Sequence, residues 1–449
     1  MDEQREPHEF SIYLLELVDL GIKMSEGTIT REEAVSEYNR IRELTSYKML
    51  PQDPLLFSRR DYFHQIRRNF QFLLKHNIRN PGLYYDAFDE WTRQDQQSLN
   101  SKLLPVLKHF EKFPLSTISH ASKTLRLHYQ TVSKRLKKLK EDYWLVVKGL
   151  TNNWIFGLRL FILLFNFDTN YTWETFFQSI GQYPFLNIAN EDRLNGHHYL
   201  TFQLPNDRRT IDVFRRSVTK LANEQFSYWR LHEGFAAGFS KNMDLLNEEG
   251  WAYPQELVPN ESPPELVSDF QPMIYRCKFD PLYDLIDFKV SDVLSSDCRL
   301  SSSSISTRTG LSTNVAYRRK EKLLSRGMVL PLTFWTEVNS GHIRIECDCS
   351  RNMKNTILAS AFKLPEVAYY ITTTGIVLWV DVPIVHIEKY TEYFNSMLDS
   401  KDVSSHRMVI GKTWLGSRPR SDITKDWKFG QRGFTIEGLD IDPDILDYV

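Results

Sequence analysis

Side chains able to bond phosphate oxygens and base edges occur twice in this chain, in the same pattern. Between Thr117 and Leu139 (TISHASKTLRLHYQTVSKRLKKL), Gln130, Thr131, Lys134, Lys137 and Lys138 fall on one side of a helical period. Val132, Leu136 and Leu139 fall on the other. The stretch Ser302 to Leu323 aligns with it without gaps. Leu311 falls on Leu127, Ala316 on Val132, Arg319 on Arg135 and Leu323 on Leu139, a constant offset of 184 positions (311 − 127; 323 − 139). The chemistry this pattern suits is recognition of duplex DNA. Lys and Arg neutralise phosphates, while the amides of Gln130 and Asn314 are of the type that bonds adenine through two hydrogen bonds. The expected base readers are Tyr129, Gln130, Thr131 and Lys134 in the first copy, and Thr313, Asn314, Tyr317 and Arg318 in the second. Lys137 and Lys138 are expected on phosphates, and Lys322 joins the DNA contacts of the second copy.

Each reading helix needs a partner helix and a turn to hold it. Ile118, Ala121 and Leu125 keep a helical spacing before Leu127, so the first copy reads as helix-turn-helix. In the second copy Gly310 offers a positive φ at the turn and Ser312 an N-cap. Lys320 stands where the first copy has Leu136, so the second apolar stripe is weaker. Charge follows the same plan. The whole chain, 449 residues with 56 Lys and Arg against 57 Asp and Glu, has a net charge of −1. No global field draws it to nucleic acid. Yet Leu115–Leu150 carries eight basic and two acidic residues (8 − 2, or +6), and Ile305–Met328 six and one (6 − 1, or +5). Two local basic clusters are an electrostatic footprint for phosphates.

In chain order, residues 1–100 read as a helical extension, with Phe10, Tyr13, Leu14, Leu17 and Leu20 in helical period and a capping-box pattern at Thr30–Glu33. Tyr62–Leu74 is a second amphipathic helix, and Tyr84, Tyr85, Phe88 and Trp91 make the following stretch aromatic. Residues 101–155 hold the first helix-turn-helix. There, Trp144–Val147 and the run from Trp154, flanking Thr151-Asn152-Asn153, suggest a hairpin wing. Residues 156–245 alternate as strand, helix, strand, strand, helix, strand, the ferredoxin-like order, with a turn at Asn195-Gly196. Residues 246–288 form a Pro-punctuated connector. The plan then repeats: a second winged helix-turn-helix over 289–341, with Met328–Thr336 as its wing strand, and a second βαββαβ unit over 342–420. An acidic tail, 421–449, follows. The expected class is α+β: two winged helix-turn-helix units, each followed by a ferredoxin-like unit, behind an all-α extension.

The run Leu364-Pro-Glu-Val-Ala-Tyr-Tyr-Ile-Thr-Thr-Thr-Gly375, followed by Ile376-Val-Leu-Trp-Val-Asp-Val-Pro383, resembles the effector-domain core of the prokaryotic Lrp/AsnC, or feast/famine, transcription regulators. Gly196 and Pro205 hold the corresponding places in the first half. The resemblance spans roughly residues 103–240 and 289–415, and the order of elements matches better than the residue identities do. It implies a fused tandem duplication in which the two βαββαβ units pack as an intramolecular pseudo-dimer, with further oligomerisation left open. It also implies sequence-specific binding to double-stranded DNA, with room for a small-molecule effector. An acidic residue commonly follows the turn glycine in that family; here His197-His198 and Ile376-Val377-Leu378 follow it.

Other chemistry has less support in the residues. No P-loop, G-x-S-x-G, H-E-x-x-H or dinucleotide glycine fingerprint is present. The chain therefore reads as no enzyme, and no cofactor or metal is expected. His197-His198 beside a turn could ligate metal or move protons, but read first as exposed turn residues. Cys277, Cys298, Cys347 and Cys349 lack metal-ligand spacing and suit a reducing, cytoplasmic setting. The most apolar stretch, Leu160–Phe165, is far short of the ~20 residues that span a bilayer. Two alternatives remain in view: a tetrapyrrole enzyme like the sirohaem decarboxylases, which share this fold, and an assembly factor that has lost DNA binding.

Overall fold

The computed structural model describes residues 9–30, 33–34, 36–37, 40–41, 62–76 and 99–448. Excepted within the last range are 144, 169, 193–194, 249, 255–256, 258–272, 276–277, 336–339, 412 and 418–419. The aromatic stretch from Tyr84 to Trp91 and most of the connector prolines lie outside the described residues. Two N-terminal helices, α1 (Glu9–Ser25) and α2 (Tyr62–Lys75), appear where the apolar period places them. Thr30 and Glu33 cap each other: the Thr30 N–H donates to Glu33 Oε2 at 2.7 Å and the Glu33 N–H to Thr30 Oγ1 at 3.2 Å.

Three short helices then precede a strand: α3 (Leu104–Lys112), α4 (Ile118–Leu125), α5 (Tyr129–Asp142) and β1 (Val146–Thr151). A mixed run follows, β2 (Leu158–Phe167), α6 (Trp173–Ile180), β3 (Leu186–Asp192), β4 (His198–Pro205), α7 (Arg208–Gln225) and β5 (Phe226–Lys241). The short strands β6 (Leu246–Asn247), β7 (Gly250–Trp251) and β8 (Met273–Tyr275) lead to a second helical triplet. That triplet is α8 (Leu285–Ser296), α9 (Ser302–Thr309) and α10 (Thr313–Ser325), with β9 (Val329–Phe334) after it. The mixed run recurs as β10 (Ser340–Cys349), α11 (Arg351–Ala361), β11 (Glu366–Thr372), β12 (Gly375–Pro383), α12 (Ile387–Leu398) and β13 (Val403–Gly411).

The first predicted wing hairpin does not form, whereas the wing strand predicted in the second copy is present as β9. Asn153–Phe156 is a 3₁₀ turn, and β1 finds its partner 184 positions away, pairing antiparallel with β9. In that register Lys148 lies opposite Leu332, separated by the offset of the sequence repeat (332 − 148). The pairing thus maps onto itself when the two copies are exchanged. A two-residue Asn-Asn turn cannot supply a hairpin here because the turn residues are spent on the 3₁₀ turn, which ends at Gly157 with φ 74°.

The large antiparallel sheet runs β13-β10-β12-β11-β5-β2-β4-β3-β14, where β14 is Thr413–Ser417. β13 and β14 follow one another in the chain, so the sheet curls until its two ends meet. The long β5 lies along β2 with its first half and along β11 with its second; β13 and β14 likewise lie along β10 and β3. Alternation divides the side chains. Phe161, Leu163 and Phe165 join the core under the helices, while Ile162 and Leu164 turn into the curl and meet Tyr199, Val377 and Trp379.

Two glycines expected as turns serve different ends. Gly196 has φ 63°, a true left-handed turn. Gly375 begins β12, and a Cβ there would sit 1.7 Å from the Cys347 carbonyl oxygen, so close strand approach is what demands glycine. The C-terminal residues dock on the first half. The Tyr183 hydroxyl donates to the Pro443 carbonyl at 2.8 Å, and Ile445 is fully buried.

Candidate functional site

The two helical pairs share one turn construction. Ser122 Oγ donates to the Leu127 carbonyl at 2.6 Å across the α4–α5 turn, and Ser306 Oγ donates to the Leu311 carbonyl across the α9–α10 turn. Both bonds are related by the 184-residue offset. The turn itself needs a left-handed residue, supplied by Gly310 (φ 70°) in the second copy. In the first it is Arg126 (φ 53°), the non-glycine residue with positive φ among those described. His128 and Ser312 cap α5 and α10, the His128 Nδ1 accepting from the Gln130 N–H at 3.3 Å and Ser312 Oγ from the Val315 N–H at 3.4 Å.

Behind α5, Val132, Leu136 and Leu139 are buried with Ala121, Val106 and Phe110. Behind α10, Ala316 and Leu323 are buried, and Lys320 folds inward to donate to the Leu300 carbonyl at 2.8 Å. Burial lowers the Lys320 pKa. The outer faces carry the expected readers. Gln130, Lys134, Lys137, Lys138, Thr313, Asn314 and Arg318 are exposed, and Thr131 is half-buried. Tyr129 and Tyr317 are 52% and 55% exposed, unusual for such large rings without a partner. Lys322 stands apart from this set: its ammonium lies 2.7 Å from the buried carboxylate of Asp287 and 4.5 Å from the Tyr283 ring centroid. Arg319 joins the same carboxylate at 2.9 Å. These two cations hold α10 on α8.

The helical triplets are clamped to each other. Arg299 donates to the carbonyls of Pro114 at 2.8 Å and Ser116 at 2.9 Å, with its guanidinium 4.9 Å over Phe110. Thr333 Oγ1 donates to the Phe110 carbonyl at 3.1 Å, and Trp335 Nε1 to Glu111 at 2.8 Å. With the β1–β9 ladder, these contacts tie α5 and α10 into one helical layer.

A second polar cluster lies inside the curl of the sheet. Sequence alone pointed to exposed histidines at 197–198; in the structure both are buried, His197 being 1% exposed. His197, just before β4, and His198, its first residue, turn to opposite sides. His197 Nδ1 meets Asn166 Oδ1 at 2.7 Å, and its Nε2 lies 3.7 Å from Glu346. His198 turns to the helix side and stacks on Trp173 at 4.8 Å. Glu346 also accepts from His232 at 2.8 Å and from the Tyr228 hydroxyl at 3.1 Å. Burial pulls the Glu346 pKa up, but the nearby His197 ring and the bond from His232 outweigh it and hold the carboxyl at about 2. Burial lowers the His197 pKa. His198 falls to about 3, through burial and then the nearby Arg344 and His197. Arg344 completes the group, donating to the His197 carbonyl and lying 4.0 Å from Asp192. Little of this was legible in the sequence, since Tyr228 and His232 lie on β5 and Arg344 and Glu346 on β10, more than a hundred positions apart. Only strand alternation across both halves would have gathered them.

No group of His, Cys, Asp and Glu suited to a metal ion occurs among the described residues. No helix among them is long and apolar enough to cross a membrane. Neither family models nor curated proteins match the chain. Among solved structures, the sirohaem decarboxylase NirDL in co-complex with an iron-uroporphyrin III analogue is similar at a TM-score of 0.46 and 10% identity, over 72% of this chain and 96% of its own. An AsnC family transcriptional regulator from Agrobacterium tumefaciens is similar at 0.24 and 20% identity, over 29% and 90%. E. coli AsnC is similar at 0.23 and 18%, over 28% and 91%. Each of these is a likeness of fold alone. The first of these corrects the expectation that the chain is no enzyme, because the structure matched over most of the chain is an enzyme's. Motifs such as the P-loop cover only some catalytic designs, and a fold does not choose between binding and catalysis.

Proposed function

We propose that this chain binds duplex DNA as a transcription regulator of Lrp/AsnC type, built as a fused tandem of two reading units on an internal pseudo-dimer. The observation that carries the reading is the pair of exposed reading faces on α5 and α10, presented by identical serine-clasped turns and joined through a ladder that maps onto itself at the 184-residue offset. Tyr129, Gln130, Thr131 and Lys134, and Thr313, Asn314, Tyr317 and Arg318, read base edges. Lys137 and Lys138 neutralise phosphates, with Lys322 acting on DNA only indirectly, through its hold on Asp287. The test is fluorescence anisotropy on a labelled duplex across a salt series. Affinity should fall steeply with salt, and Lys138→Ala should lower the slope by about one counterion. Unmeasurable binding at low salt by the folded protein sinks the reading.

A catalytic reading is favoured by one observation, the buried His197–Glu346–His232 group with the Tyr228 hydroxyl, which can hold and pass a proton. In this reading the chain acts on a carboxylated tetrapyrrole such as sirohaem. Anaerobic incubation with sirohaem, followed by mass spectrometry, would show loss of carbon dioxide. Unchanged substrate, with the protein folded, removes the reading.

A further inference from the structure

Arg344 is the cationic member of the inner cluster whose bonding is incomplete. It is 5% exposed, and burial lowers its pKa, yet neither its Nε nor its Nη1 has a hydrogen-bond partner. Its remaining nitrogen, Nη2, is the one that meets the His197 carbonyl and faces Asp192. A buried guanidinium with open N–H groups carries a large desolvation cost, which an anion offsets better than water does. The same side chain lines a cavity of ≈ 220 Å³ with Tyr199, Trp379, Val409 and the His342–Asp381 pair. The Tyr199 ring lies 5.3 Å from the guanidinium and 5.2 Å from the Trp379 ring. The half-exposed His342–Asp381 pair brings the cavity to the surface.

We propose that this cavity binds a small monocarboxylate with an apolar body. The carboxylate meets the open N–H groups of Arg344, and the body lies against Tyr199, Trp379 and Val409. Three features select this class. Arg344 brings unspent cationic donors to the cavity, beside the unpartnered Nε1–H of Trp379, and a cation asks for an anion. The facing wall is aromatic and aliphatic, which asks for an apolar body. The cavity is smaller than the roughly 300–1,000 Å³ of pockets that take drug-sized ligands, which excludes a macrocycle. The site is also confined to one half. β2, the strand that β10 repeats, turns the apolar Ile162 and Leu164 into the curl, so one such ligand binds per chain. This inference is independent of DNA binding and of the tetrapyrrole reading, since it concerns occupancy of the cavity alone.

The experiment is isothermal titration of the full chain at neutral pH with sodium benzoate, sodium isovalerate and, as a neutral isostere, benzamide. One-to-one saturable binding of benzoate or isovalerate is expected, with benzamide weaker by about tenfold or more. Arg344→Gln should abolish the difference between benzoate and benzamide. Val409→Phe fills the cavity without touching Arg344 and should abolish binding of both, with folding checked by circular dichroism. No saturable binding of either carboxylate, equal binding of benzamide, or undiminished binding by the folded Val409→Phe protein would each overturn the proposal.

Discussion

Replacing Glu346 by Gln isolates the contribution of the inner cluster to stability. The carboxyl moves from an ordinary 4.5 to about 2 on folding, held there by His197 and His232 against the pull of burial. Each tenfold change in acidity is worth about 1.4 kcal/mol, so the ionised form contributes on the order of 3 kcal/mol at neutral pH. Because the folded pKa is depressed, that contribution is whole above about 4.5 and is lost as pH falls toward about 2. Roughly 2 kcal/mol of it should already be gone at pH 3. Glu346→Gln has the shape of the protonated acid and nothing to titrate. Urea unfolding at pH 7 should therefore show the variant about 3 kcal/mol less stable, with the gap closing to roughly 1 kcal/mol at pH 3. A gap that stays constant across this range, or is absent at pH 7, would refute the assignment of the cluster's stability to the ionised carboxyl.

Other substitutions probe the same architecture. Arg126→Gly relieves a left-handed non-glycine residue and should raise the melting temperature, with a gain of up to about 1 kcal/mol; a loss would mean that the Arg126 side chain matters more than its backbone. Gly375→Ala drives a methyl into the Cys347 carbonyl and should cost at least about 3 kcal/mol by chemical denaturation, where a near-neutral result would show that β12 can shift away from β10. Glu111, on α3 beside Lys241 and Trp335, is pushed up to about 7, chiefly by burial. A raised carboxyl opposes folding once it ionises, so stability should fall between pH 5 and pH 8. Glu111→Gln should remove that fall, and parallel pH profiles of the two proteins would contradict the attribution.

The helical units were legible because their information is local. A periodic apolar stripe, a capping residue and a turn residue lie within some twenty positions, and the repeat at a fixed offset exposed both copies. Gly310 announced its turn openly, whereas Arg126 performs the same role with no glycine to mark it. The first wing hairpin failed for the opposite reason. The run after α5 is strand-like by composition, but its partner is β9, far away in sequence, and nothing in Val146–Thr151 names that partner. Gly375 was legible as a necessary glycine but not for its real cause, which lies in the carbonyl of a neighbouring strand. Lys322 shows the limit for charge. Its place on a basic helix suggested DNA, while a buried carboxylate contributed by a preceding helix claims its ammonium. The inner cluster was least legible of all, because Glu346 and Arg344 acquire meaning only when the other half of the chain folds over them.

The central claim, two unlike reading helices held at one spacing, is tested most directly by selecting bound fragments from a random duplex library and sequencing them. α5 and α10 differ at every aligned position that a reader occupies in either copy: Tyr129, Gln130, Thr131, Ser133 and Lys134 stand against Thr313, Asn314, Val315, Tyr317 and Arg318. The account therefore predicts two unlike half-sites at a single separation, about one helical turn or a multiple of it. Gln130→Ala should relax one base position in one half-site only, at a cost of about 1–3 kcal/mol. A perfectly palindromic site, half-sites at variable spacing, or no enrichment by the folded protein at low salt would contradict it.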